Sequence, residues 1–229
     1  MVFSDASFII YLITLITLLS MYLVMGLYFI RKYYQKKKVL GAGGKKDNLP
    51  LIHGIAIILL GLGRLGLAIF DVTTEFNSAN YAASNFWIWK IGSSLQMGAL
   101  CIFFLLMEKR LMKGRDKYLL AILYIVFWVL GMSMIDIFMA TNLVIVATII
   151  TTYIPFAYLY VAIISEGEVR KKAMYIFIGF VIFMVAALLT GEMVIDLIAQ
   201  PLGITRIGVH VIAYVIKMIC LLFMFMGFK

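Results

Sequence analysis

Residues 7–30 read SFIIYLITLITLLSMYLVMGLYFI, 24 positions without one charged side chain, and Arg31 and Lys32 follow at once. A run of that length is enough to carry a helix across the hydrocarbon core of a bilayer, which needs roughly 20 residues. Nothing in it resembles a cleavage site, so it reads as a helix that stays in the membrane. Six further runs of the same kind follow, at 51–71, 86–107, 118–139, 143–164, 173–197 and 207–228. Lipid offers the backbone no hydrogen-bond partners, so each run must close its own bonds as a helix. The expected fold is therefore all-α: one polytopic domain over 1–229, a bundle of seven transmembrane helices.

Composition agrees. Of 229 residues, 65% are hydrophobic and 14% charged. A water-soluble domain could not cover that much apolar surface with so few charges. The net charge of +9 sits mostly in short loops between the runs, which points to lipid headgroups and away from nucleic acid. Arg31, Lys32, Lys36, Lys37, Lys38, Lys45 and Lys46 follow the first run. Lys109, Arg110, Lys113, Arg115 and Lys117 follow the third, Arg170, Lys171 and Lys172 the fifth, and Lys229 the seventh. The alternate loops hold Arg206 beside Asp71 and Glu75. By the positive-inside rule the amino terminus lies outside and the carboxyl terminus in the cytoplasm. The setting this implies is integral to the plasma membrane of a prokaryote. Cys101 and Cys220 both fall within apolar runs and read as buried thiols, not a disulfide framework.

Ionisable groups inside a span are costly, and they usually face the bundle interior and mark function. Lys217 falls near the middle of the seventh run. Arg64 is in the outer half of the second and Lys90 near the outer end of the third, with Gln96 a turn and a half further in. Asp136, Glu192, Asp196 and His210 all fall at outer ends. This distribution predicts an outward-opening polar cavity with Lys217 at its floor and a ligand set of Arg64, Lys90, Gln96, Asp136, Glu192, His210 and Lys217. Structural ion pairs, Lys217 with Glu192 or Arg64 with Asp136, account for the same residues equally well. Asp136, Asp196 and Lys90 also suit interfacial positions.

Two packing features stand out. The stretch from Gly61 to Gly66, GLGRLG, lets another helix approach closely. It is not a nucleotide loop, because no strand precedes it. Pro155, among Tyr153, Tyr158 and Tyr160, should kink the fifth helix. A faint repeat sets Asp71 and Glu75 over Glu192 and Asp196, and Gln96 and Met97 over Lys217 and Met218, at one offset of 121. That pattern suggests a 3+1+3 plan of parallel repeats.

Enzymatic chemistry finds little footing. A zinc hydrolase needs several His and carboxylate ligands at one depth, but His53 and His210 fall at opposite ends. No GxSxG nucleophile elbow is present. The expectation is no enzyme, no metal and no resident cofactor.

The helix count, the orientation, the polar outer half and the lysine in the last helix resemble the seven-helix receptors and microbial rhodopsins. The resemblance implies a membrane sensor, and in its opsin form a retinal held by Lys217. The sequence departs from the opsins where they carry Asp one turn before the lysine, since Ala213 stands there. It departs again in the third helix, with Ser93 and Ser94, and in the sixth, which has no Trp. The leading expectation is a receptor-like sensor for a small molecule, signalling through a separate cytoplasmic or membrane partner, with association of copies also open. The alternatives are a small-solute transporter or channel, an opsin-like protein, and an assembly subunit that binds no ligand.

Overall fold

The computed structural model describes residues 6–40, 48–77, 80–81, 83–110 and 118–229. Among these the secondary structure is helical. The elements are α1 (Ala6–Leu40), α2 (Leu49–Thr73), α3 (Ala83–Arg110), α4 (Leu119–Ser133), α5 (Ile137–Ile150), α6 (Tyr153–Ile164), α7 (Gly167–Leu189), α8 (Glu192–Leu202) and α9 (Arg206–Phe228). Six helical segments are long and apolar enough to cross a membrane, with α5 and α6 together supplying one of them, Met139–Ile164. The protein is a helical membrane protein. The seventh expected span is represented by α4, whose 15 residues cover about 22 Å and stop short of the roughly 30 Å core.

Helix ends differ from the hydropathy reading in ways the backbone explains. α1 continues ten residues past the apolar run, through the cations to Leu40. α7 likewise starts at Gly167, ahead of Arg170, Lys171 and Lys172. Basic residues are good helix formers, and leaving the hydrocarbon does not stop a helix. The run read as 173–197 is broken at Thr190–Gly191, so Glu192 and Asp196 ride on the separate helix α8. The run read as 118–139 ends at Ser133, and Asp136 lies in the turn before α5. Pro155 acts one turn upstream of itself. Lacking an N–H, it cannot bond the carbonyl of Thr151, and the helix is interrupted at Thr151–Thr152. The loops holding Lys45, Lys46, Lys113, Arg115 and Lys117 lie outside the described residues.

The chain divides into two compact units. One comprises Met1–Leu18, Glu75–Ser78 and Thr152–Lys229, and the other Leu19–Thr74 and Ala79–Thr151. In the second unit α2 and α3 pack closely through glycine. A Cβ on Gly63 would lie 2.7 Å from the Gly92 carbonyl oxygen, and Gly54 abuts Gly26 of α1 in the same way. The Gly61–Gly66 stretch is thus a helix-packing face, as its spacing predicts. In the first unit α7 and α9 form the corresponding tight antiparallel pair. Gly179 meets Cys220 and Met224, and Gly227 meets Lys172 and Ile176. α6 joins α7, with Tyr158 stacked 6.3 Å from Phe180. α8 folds back on α9 through Ile195, Ala199 and Val209. Gly203 turns the chain there at φ 62°, and Ile204 N–H closes on the Ala199 carbonyl at 3.1 Å, a Schellman ending. Thr205 then caps α9 by accepting from Gly208 N–H.

Candidate functional site

His210, Tyr214 and Lys217 stand four and three residues apart on α9, a spacing that puts all three on one helix face. That face is the buried one. His210 and Lys217 are each 5% exposed and Tyr214 is fully covered. The Tyr214 hydroxyl donates to the hydroxyl of Tyr11 on α1 at 3.1 Å. The His210 ring lies among Tyr11, Phe76 and Tyr214, with centroid separations of 6.3, 5.6 and 6.2 Å.

Phe76 reaches this cluster from a strained turn. Glu75 and Phe76 both adopt left-handed backbone, φ 53° and 56°, at a cost of about 1–3 kcal/mol each for residues with a Cβ. Arg206 holds the turn by donating from Nη1 to the Phe76 carbonyl at 2.8 Å.

Lys217 lies deepest in the column. Its Nζ donates to Thr190 Oγ1 at 3.4 Å and sits 6.0 Å from the Tyr214 ring centroid. Thr190 is the C-cap of α7, and its hydroxyl donates in turn to the Ala187 carbonyl at 2.9 Å. The ammonium is therefore at the carbonyl end of a 23-residue helix, where the aligned peptide dipoles favour a cation. The close contacts of Gly179 and Gly227 set the α7–α9 register and put the Lys217 backbone level with about residue 184. The head thus reaches toward the C-terminal end of α7 by about six residues, or about 9 Å, to Thr190. The expected partner, Glu192, opens α8 just beyond this point, and its side chain lies outside the described residues, as does that of Asp196.

The other expected ligand residues belong to the second unit. Arg64, 3% exposed, donates from Nη2 to Asp71 Oδ2 at 2.5 Å. The two lie seven residues apart, so this ion pair runs along α2 itself. Lys90 sits 4.7 Å over the Phe86 ring, one turn back on α3. Gln96 is half-buried, and its backbone and Cγ form part of the surface against Gly63. Asp136 is exposed, and its carbonyl accepts from Ala140 N–H at 3.0 Å as α5 begins. The structure thus sets His210 and Lys217 on one buried face of α9, while Arg64, Lys90, Gln96 and Asp136 belong to the other unit.

Several residues that matter here carry no sequence signal. Tyr11 and Thr190 look like ordinary members of apolar runs. Glu108 looks like one charge of a cytoplasmic loop, yet it is only 1% exposed, and its Oε1 accepts from Ala121 N–H at 3.2 Å. Ala121 is in the first turn of α4, so Glu108 on α3 caps a helix it does not belong to. Glu108→Ala is expected to lower stability by about 1.5–3 kcal/mol. Glu108→Gln keeps an acceptor oxygen and should lose less, a difference readable from thermal unfolding in detergent by circular dichroism. Equal losses for both variants would deny the capping role. His53 packs between Phe29 and Phe103 and serves as core. Among the described residues no three His, Cys, Asp or Glu side chains come together as a metal site.

Compared with protein-family models, with curated proteins and with solved structures, the chain matches none. The resemblance to receptors and rhodopsins accordingly rests on the helix pattern and Lys217, with no family match to support it.

Proposed function

We propose that this protein is a receptor-like sensor of a prokaryotic plasma membrane. A small ligand bearing an anionic group would enter from outside and engage Lys217. The observation that carries this reading is the Lys217–Thr190 contact. A lysine in a span is expensive to bury, and its contact to the Thr190 hydroxyl is long and stands at a helix terminus, where an anionic acceptor would bind the ammonium more strongly. Such a ligand would take the ammonium from Thr190 and so bias how α9 sits against the α7–α8 break. His210, Tyr214 and Tyr11 would pass that change along α9 and α1 to a separate signalling partner or a second copy of the chain. The test is thermal stabilisation of purified protein by a panel of small carboxylates. Stabilisation that Lys217→Met abolishes, with no transport, supports the sensor.

The interrupted helix α7–α8 favours a second reading, a transporter, since discontinuous helices commonly build transport sites near the places where their backbone is freed. Solute uptake into proteoliposomes, lost in Lys217→Met, would replace the sensor with that reading.

The reading takes seven crossings, with α4 as the short fourth, the amino terminus outside and the carboxyl terminus inside. Cysteine at Asn80 should react with an impermeant thiol reagent on intact cells, and cysteine at Lys38 only after permeabilisation. Cys101 and Cys220 are buried and should contribute little background. The reverse pattern would invert every depth given above.

The 3+1+3 repeat belongs to the same proposal and has support from helix register. In α2–α3, Gly63 meets Gly92 and Gln96. Shifted by 121, this pairs Met184 with Ala213 to Lys217. In α7–α9, Gly179 meets Cys220 and Met224. Carried five residues along the antiparallel pair, that sets Met184 level with residues 215–219, overlapping the shifted pairing.

A further inference from the structure

The first unit has a second place where charge and apolar surface meet, at the end of α7 away from Thr190. Gly167, Arg170, Lys171, Met174 and Tyr175 recur three and four residues apart and so share a helix face. Together they line an open depression of about 290 Å³. Arg170 and Lys171 are exposed, and neither forms an ion pair among the described residues. Lys172 follows Glu168 by one turn, a spacing at which opposite charges offset each other. Glu166 precedes Arg170 by one turn in the same way, so of the three cations Lys171 is left in excess. Gly167 leaves the head of the depression open, with nothing within 4 Å of where a Cβ would stand.

Below the cations the surface turns apolar. Met174 and Tyr175 are half-buried, and the Tyr175 ring lies 6.2 Å from Phe223 of α9. Gly227 abuts the Lys172 carbonyl, so the α9 terminus with Lys229 ends at the height of the α7 cations. Cations therefore rim one end of an apolar strip, at the level where α7 passes from charged residues to the uninterrupted apolar run beginning at Ala173.

We propose that the face formed by Arg170, Lys171, Met174 and Tyr175 is a binding site for an anionic glycerophospholipid. Arg170 and Lys171 take the phosphodiester and any charged headgroup, and Met174, Tyr175 and Phe223 carry the upper acyl chain. The occupant follows from this combination. A soluble phosphate would use the cations and leave the apolar strip unused, and a zwitterionic lipid would use the strip without satisfying the excess charge. The proposal does not depend on the sensor reading.

Native mass spectrometry of the full chain in detergent, with phosphatidylglycerol and phosphatidylcholine of matched acyl chains, tests it. The wild type should retain phosphatidylglycerol preferentially. Arg170→Gln/Lys171→Gln should reduce that preference roughly five-fold for each cation removed. Lys36→Gln/Lys37→Gln, which thins the basic stretch of α1, should leave it unchanged. Arg170→Lys/Lys171→Arg should retain it. Circular dichroism confirms that each variant is folded, as expected for exposed positions. The proposal fails if the Arg170/Lys171 double variant keeps the wild-type preference, or if the Lys36/Lys37 variant loses as much, since general surface charge would then explain it. It also fails if the charge-conserving pair loses the preference, or if millimolar inorganic phosphate or glycerol phosphate displaces the lipid, which would mark an anion site with no lipid specificity.

Discussion

Asp71→Asn is expected to destabilise the protein by about 3–5 kcal/mol, because it leaves the Arg64 guanidinium buried without its carboxylate. Arg64 is 3% exposed and Asp71 13%, and they meet at 2.5 Å on the same helix. In a helix of this hydrophobicity the arginine has no cheap route to water, since it stands mid-helix with nine residues between it and Thr74. Arg64→Met retains most of the apolar stem and removes the charge. It leaves Asp71, which is nearer the helix end and more exposed, so it should cost less. The double variant Arg64→Met/Asp71→Asn should lose well under the sum of the two single losses. Unfolding in mixed detergent, followed by circular dichroism, gives all three values. Additive losses would show that the bridge contributes nothing beyond its separate side chains.

Gly92→Val should be as damaging for a different reason. A Cβ at this position would lie 2.7 Å from the Leu67 backbone nitrogen and 3.0 Å from the Gly63 carbonyl oxygen. These are main-chain atoms of α2, which no side-chain rotation can move aside. The helices must separate along their closest contact, and a loss of at least about 3 kcal/mol follows. Gly98→Ala on the same helix is the control. Its nearest neighbour would be the Trp128 ring at 3.7 Å, an ordinary contact, and alanine is the better helix former. That variant should be neutral or slightly stabilising. Similar losses for the two substitutions would mean that generic loss of glycine, and not the α2–α3 approach, governs stability.

Much of the first-unit column was legible one residue at a time but not as a group. Lys217 and His210 stand out because ionisable side chains are rare in the apolar runs. Their partners do not, since Tyr11, Phe76 and Thr190 are ordinary residues scattered over 180 positions of chain. Arg64 was visible as a deep charge, and its partner lay seven residues away on the same helix face. That pair follows from the reach of a long side chain along its own helix, which the depth of a charge does not reveal. Glu108 was hidden by its neighbours, because a carboxylate beside Lys109 and Arg110 reads as solvated until α4 is seen to begin against it.

The sequence by itself determined that the chain forms apolar helices suited to a bilayer, that the Gly61–Gly66 stretch allows close packing, and where cations cluster. Those properties are local: hydropathy, the absence of a Cβ, and charge are set by each residue wherever it goes. Only the tertiary structure decided where each helix stops and what each buried charge rests on. Hydropathy measures the cost of facing lipid and is blind to backbone continuity, so it ran through the break at Thr190–Gly191 and stopped short of the charged helical turns at Arg31–Leu40 and Gly167–Lys172. The setting of Lys217 depends on that break. A helix must end to expose its carbonyls, and it is at the end of α7 that the lysine of α9 finds its acceptor.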